Sequence, residues 1–341
     1  MKIKISGAVD ARDGYGEITQ NLAIALSNLG HEVWINPYKV WFDLKSLKPE
    51  AQALVGREIK PDFELIIMYP TYSFDRIHKN AAIMTMYEAN RCPDEWIKKL
   101  NQLKLPIFAP SEFVAGMFKD SGVKVPISVL PLGVDSIYKP KKRKYPEDRN
   151  FRFLSLGKLE PRKNTELLVK SFLKAFKDEP VELIIKTRER FIQSSVRRVA
   201  TLDKRIRIIE KTLTAEELIK LYYYCDAFVY PSRGEGFAFP PRNAVATGLP
   251  TAVTGWSALK EIPGAVKLQV AGFSPMPPCG FSYGQEKELL MADVDEEDLV
   301  CFMKSVVDDK HYYEELSAHN CGIKQYTWED CANDFIRMIS K

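Results

Sequence analysis

At 341 residues the chain is too long for one ordinary core of roughly 100 to 200 residues and suits two. A hydrophobic share of 45% and a charged share of 28% exclude a disordered or fibrous chain, and a net charge of +4 is too small to imply a nucleic-acid partner by itself. No stretch approaches the ~18 consecutive apolar residues that span a bilayer, the opening MKIKISGAVDARDG has too short an apolar region for a signal peptide, and six scattered cysteines lack zinc or redox spacing, so a cytoplasmic protein with reduced thiols is expected.

Short Val- and Ile-rich runs come first: IKISG (3–7), EVWI (32–35), FELIIMY (63–69), AAIMTMY (81–87), PIFA (106–109) and ISVLP (127–131). Their spacing leaves room for helices, the pattern of a parallel sheet buried on both faces. Ile18, Leu22, Leu26 and Leu29 fall at helical spacing before a stop at Gly30. Trp96, Leu100 and Leu103 with Lys98, Lys99 and Lys104 make a basic amphipathic face, suited to packing on the sheet or to peripheral contact with a membrane. The basic run Lys139, Lys141, Lys142, Arg143, Lys144 between Pro140 and Pro146 reads as a solvated linker.

The same grammar restarts beyond it with FRFLSLG (151–157), VELIIKT (181–187), IRIIE (206–210), AFVYP (227–231) and PTAVT (250–254). Thr214 and Glu217 form a capping box for a helix that turns Leu218, Leu221 and Tyr222 inward. Residues 271–285, with three prolines and three glycines, predict a long irregular loop. Thr327 is placed to cap a last helix with Ala332, Phe335, Ile336 and Ile339 on one face. Two α/β domains result, 1–140 and 150–325, with the helix at 327–341 expected to pack back on the first.

The segment SRGEGFAFPPRNAVATGLP (232–250) follows an apolar strand; Pro240 and Pro241 suit a helix start and Gly248 its end. A tight turn at a helix N-terminus points backbone N–H groups outward at the positive end of the helix dipole, a site for phosphate. Glu235 inside it makes sense for a ligand that also offers hydroxyls, since a carboxylate accepts two hydrogen bonds. A plain Gly/Pro turn with a surface Glu is the bland alternative. Near the start, Asp13-Gly14-Tyr15-Gly16 precedes a helix and permits close approach to a phosphate, but Thr19 stands where a dinucleotide fingerprint wants a third glycine.

The 232–250 string closely resembles the Glu, seven residues, Glu signature of retaining GT-B glycosyltransferases. The resemblance implies that Glu235 contacts the transferred sugar and that Asn243 occupies the ribose-binding position, as an amide where the family has Glu. FLSLGKLEPRKNTELLVKSFLKAF (153–176) resembles the family's pyrophosphate-clamping segment, with Lys163 as second cation, Lys158 or Arg162 as first, and Asn164 where Gly is usual. Pro110-Ser111, PLGVD (131–135) and TWEDCANDFI (327–336) extend the resemblance over nearly the whole chain. It implies two Rossmann-like domains facing a central cleft, with Gly14 and Gly16 turned to the donor phosphates across it and Gly236, Phe237, Ala238 and Phe239 in the donor-binding turn.

Where many relatives carry a His after the fourth strand, this chain has TMYEAN, and Glu88 becomes a contact for sugar or acceptor. The four histidines lack ligand spacing and no paired Asp motif stands out, so metal-independent transfer from a UDP-, GDP- or dTDP-sugar is expected, the clamping lysines replacing a divalent ion. A nucleotide-sugar epimerase, a phosphorylase and a silent nucleotide-sugar-binding protein are the alternatives. The acceptor is open between glycan, lipid-linked, protein and small-molecule hydroxyls. The arginines 188, 190, 197, 198, 205 and 207 with Lys204 keep a nucleic-acid acceptor open, without interleaved aromatics to stack bases.

Overall fold

A computed structural model of the chain describes residues 1–10, 14–38, 47–74, 76–188, 194–278 and 282–340. Asp13 of the glycine loop, Arg190 and Cys279 lie outside the described residues. The chain divides into two units: Met1–Tyr87, Arg91–Asp135 and Tyr326–Lys341 in one, Glu88–Asn90 and Ser136–Gln325 in the other.

The first unit holds β1 (Lys2–Gly7), β2 (Glu32–Pro37), β3 (Phe63–Ile67), β4 (Ala81–Met84), β5 (Ile107–Ala109) and β6 (Ile127–Val129), all parallel in the order β2-β1-β3-β4-β5-β6. Ile5, Leu65, Ile66, Ile67 and Ile83 are fully buried, and helices cover both faces, which is why these strands are rich in Ile and Leu. They are α1 (Gly14–Asn28), α2 (Pro49–Gln52), α3 (Asp94–Leu103), α4 (Glu112–Asp120) and, from the end of the chain, α11 (Trp328–Ile339). Ile18, Leu22 and Leu26 of α1 are fully buried, and Gly30 beyond it takes the left-handed φ of +84° that ends the helix. α3 buries Trp96 and Leu100 and leaves Lys98 and Lys104 exposed. Thr327 caps α11 in a capping box with Asp330, α11 packs against α1, and its Phe335 meets the rings of Phe63 and Phe108 edge-on.

The second unit holds β7 (Phe151–Leu156), β8 (Val181–Lys186), β9 (Ile206–Ile209), β10 (Ala227–Tyr230), β11 (Thr251–Thr254) and β12 (Val266–Leu268), again parallel, in the order β12-β11-β10-β7-β8-β9. Around them run α5 (Thr165–Ala175), α6 (Ser194–Leu202), α7 (Ala215–Tyr224), α8 (Phe239–Ala246), α9 (Glu296–Asp308) and α10 (Lys310–Gly322). Phe153, Phe172, Phe176, Leu183, Ile185 and Met303 share one buried cluster on one face of this sheet. The capping box of α7 forms as expected, with Leu221 and Tyr222 buried and Leu218 half-buried.

Two expectations are corrected. The loop expected at 271–285 begins as a strand: β13 (Val270–Pro275) pairs antiparallel with β14 (Leu290–Val294) in a two-stranded sheet, and Pro275, the last residue of β13, interrupts no inner ladder. The basic run is not solvated throughout, because Arg143 is only 7% exposed. Its guanidinium donates to the carbonyls of Tyr222, Tyr223 and Cys225 at the end of α7 and of Thr247 at the end of α8. A cation there satisfies carbonyls that have no helical partner and lies at the negative ends of two helix dipoles.

Candidate active site

The turn between β10 and α8 carries Glu235, 6% exposed. One carboxylate oxygen, Oε1, takes Lys163 Nζ at 2.6 Å, Ser232 Oγ at 2.6 Å and Tyr230 Oη at 3.1 Å, and pairs with Arg162 Nη1 at 2.9 Å. The Glu235 N–H donates to Ser257 Oγ at 3.1 Å. The cations come from a 3-10 turn, Pro161–Lys163, that leads into α5. Arg162 also donates to the Gly234 carbonyl at 2.6 Å and faces Glu88 at 3.7 Å, while Lys163 reaches the Tyr230 hydroxyl at 2.7 Å.

Burial alone would raise the Glu235 carboxyl, but Arg162, Lys163 and the hydrogen bonds from Lys163 and Ser232 outweigh it and bring it down to about 2. Burial, with Arg162 alongside, pulls the Lys163 ammonium below its usual range against the attraction of Glu235. Arg162 resists burial and is held charged by Glu235, Glu88 and Glu160. Burial pushes the Glu88 carboxyl up, with Arg162 opposing. Two cations and an ionised carboxylate thus sit together at the C-terminal edge of the sheet, where open α/β sheets bind ligands.

Strain marks the same place. Asn164, Ala238 and Ser257 have left-handed φ values of +56°, +68° and +55°, and these three flank Lys163, open α8 and support Glu235. For residues with a Cβ each such conformation costs of the order of 1–3 kcal/mol and persists only when the surroundings impose it. Arg242 imposes one: it lies over the Phe237 ring at 4.1 Å and donates Nε–H to the Phe237 carbonyl at 3.1 Å, just before Ala238. Burial, barely offset by Glu261, lowers its guanidinium to about 10.

The structure brings together Glu235, Lys163, Arg162 and Glu88. Lys158 stands near them on β7's trailing turn, half-buried, 3.7 Å from Glu160. Gly236, Phe237, Ala238 and Phe239 form the turn itself, with the ring of Phe237 buried against Phe239 and Arg242. Asn243, one turn into α8, is 6% exposed, and its side-chain amide has no hydrogen-bond partner among the described residues. Gly14 and Gly16 belong to the first unit; a methyl at Gly16 would lie 2.0 Å from the Asp10 carbonyl oxygen, a packing reason for that glycine, whereas Gly14 borders open space. Sequence reasoning missed Tyr230, Ser232, Ser257 and Arg242. Only Ser232, three residues before Glu235, carried a local signal. Among the described residues no three His, Cys, Asp or Glu side chains converge as metal ligands.

Residues 150–275 match the family described as glycosyl transferases group 1. Over 187 residues the chain is 29% identical to the serotype-specific mannosyltransferase WbdA of Escherichia coli, covering 53% of this chain but 20% of that protein. It is 28% identical over 235 residues to a probable sucrose-phosphate synthase of Thermosipho melanesiensis, covering 64% of this chain and 48% of that one. The chain therefore spans about a fifth and about half of these two relatives. Among solved structures, HepE of Anabaena in complex with UDP-glucose superposes with a TM-score of 0.75 at 13% identity, covering 100% of this chain and 99% of that one. Sucrose-phosphate synthase of Thermosynechococcus elongatus superposes with a TM-score of 0.71 at 13% identity, covering 100% and 98%. With two parallel six-stranded sheets the chain has the GT-B fold of these structures, and its 150–275 segment, which matches the group 1 glycosyl transferases, contains Lys163, Glu235 and Asn243.

Proposed function

We propose that the chain transfers a sugar from a nucleotide-diphosphate sugar to an acceptor hydroxyl with retention of configuration, and that the donor sugar and its diphosphate lie at the Glu235 turn. The observation that carries this reading is the asymmetry of Glu235. Oε1 is engaged by Lys163, Arg162, Ser232 and Tyr230, whereas Oε2 has no partner among the described residues. A carboxylate held this way is fixed in orientation and offers its second oxygen to ligand hydroxyls.

Held ionised by two cations, it is a good acceptor of hydrogen bonds from the donor sugar's hydroxyls. Lys163, Arg162 and the N–H groups that open α8 neutralise the departing diphosphate without a divalent ion, and that diphosphate takes the acceptor proton on the face it leaves. The group 1 segment and the UDP-glucose held by HepE support a nucleotide-sugar donor, with UDP-, GDP- and dTDP-sugars as the choices. Glu88 contacts the sugar or the acceptor, and Asn243 the ribose.

The test is to incubate the protein with UDP-, GDP- and dTDP-sugars, with and without glycan acceptors. Released nucleotide and the anomeric configuration of the product are read by chromatography and proton NMR. Transfer with retention is expected. Donor consumption without transfer would assign an epimerase or phosphorylase instead, and no consumption a binding protein.

A further inference from the structure

We propose that Trp256 and Phe273 form a stacking platform beside Glu235 and that the acceptor is a saccharide whose ring lies on it. The inference rests on the transfer reading above and adds the acceptor's chemical class. Trp256 follows β11 and directly precedes Ser257, the strained residue that accepts the Glu235 N–H. The indole also lies against the other neighbour of Glu235: a Cβ on Gly234 would sit 3.1 Å from Trp256 Cζ3 and 2.1 Å from the Glu88 carbonyl oxygen. Phe273 of β13 meets the indole edge-on, with ring centres 5.4 Å apart and planes at 73°, yet is 50% exposed.

A phenyl ring left half in water on an otherwise well-held hairpin calls for a reason. Arg233, two residues before Glu235, donates to the carbonyls of Ala292 at 3.2 Å and Ser274 at 3.1 Å and pairs with Asp293 at 3.0 Å. At the start of β14, Leu290 exchanges hydrogen bonds with Asn90, two residues beyond Glu88. The hairpin is thereby fixed to both segments that carry the site's carboxylates, and the rings are placed on a rigid support.

The occupant follows from size and chemistry. Two rings, one of them half exposed, fall far short of the ~800 Å² per partner of a protein interface and of the continuous apolar patch that a lipid surface needs. A pyranose fits: one face presents C–H groups to the negative face of an aromatic ring, and its rim keeps hydroxyls free for carboxylates. Such an arrangement holds the acceptor hydroxyl next to the sugar that Glu235 positions.

Phe273→Ala and Phe273→Trp, at an exposed position, test the proposal on the full chain. Binding to an immobilised panel of mono- and oligosaccharides is measured with saturating UDP or GDP, alongside calorimetry of the nucleotides and uptake by phosphatidylcholine/phosphatidylglycerol vesicles. The wild type should retain at least one saccharide class, Phe273→Ala should lose tenfold or more, Phe273→Trp should restore it, and nucleotide affinity should stay within about twofold. A wild type that binds nucleotide but no saccharide overturns the proposal, as does Phe273→Ala binding saccharide as the wild type does. A parallel loss of nucleotide affinity would place the ring under the base, and Phe273-dependent vesicle binding would make it a membrane contact; either result overturns it. If the wild type binds no nucleotide, the transfer reading itself fails, and the calorimetry reports that separately.

Discussion

Replacing Glu235 by Gln should separate turnover from nucleotide affinity in opposite directions. In the wild type Oε1 lies 2.6 Å from Lys163 Nζ and 2.9 Å from Arg162 Nη1, so the carboxylate occupies both cations that a diphosphate would use. An amide keeps the shape but removes the charge. Hydrogen bonds to a charged partner contribute about 1.5–3 kcal/mol and neutral ones about 0.5–1.5, so each cation becomes less well satisfied by the protein. Part of that loss is recovered when a diphosphate arrives. Free nucleoside diphosphate should therefore bind about 1–2 kcal/mol tighter, roughly 5- to 30-fold. Turnover should fall about 100-fold, because an amide at Oε2 is a weaker acceptor for the sugar hydroxyls. Calorimetry with UDP, GDP and dTDP reads the first effect and steady-state nucleotide release the second. Equal or weaker diphosphate binding by Glu235→Gln would refute the idea that Glu235 holds the two cations in competition with the ligand.

Lys163→Ala should weaken nucleoside diphosphate binding by about 1.5–3 kcal/mol in calorimetry, and activity should survive EDTA if, as proposed, protein cations do the neutralising. Arg143→Met removes the donor to four carbonyls at two helix ends and should cost about 3 kcal/mol, a fall in melting temperature of roughly 6–12 °C, while a nucleotide bound at saturation keeps its affinity. In the first unit, burial raises the Glu17 carboxyl to about 7, with Lys48 opposing and Asp135 assisting. The folded state then holds a proton that the unfolded state has released between its ordinary 4.5 and about 7, so Glu17 favours folding most below that window and progressively less as pH rises through it. Glu17→Gln should accordingly raise the melting temperature at pH 8 relative to wild type and leave the difference near zero or reversed at pH 4.5.

Features of the sequence that repeat with a physical period were readable without coordinates. Eleven Val- and Ile-rich runs became parallel strands because most of their residues are buried, and the caps at Thr214 and Thr327 announced their helices through local hydrogen-bonding chemistry. Glu235 and Asn243 stood out because a turn, two prolines and a terminal glycine frame them in one short string, and Lys163 through the resemblance of 153–176 to a pyrophosphate-clamping segment. What escaped was set by contacts between distant segments. Arg143 looks like any member of a basic run until the ends of α7 and α8 converge on it, about 80 and 100 residues later in the chain. β13 is hidden by its own prolines and glycines, since an edge strand with one exposed face needs no apolar run.

Ser257 and Ala238 carry left-handed backbone on residue types that give no warning of it, and only the Glu235 N–H and the Arg242 guanidinium show what is gained by holding them there. These strained residues surround one carboxylate whose Oε1 is fully engaged. The surroundings thus hold Glu235 in one orientation before any ligand arrives, so that a bound sugar would meet an acceptor that does not have to reorganise.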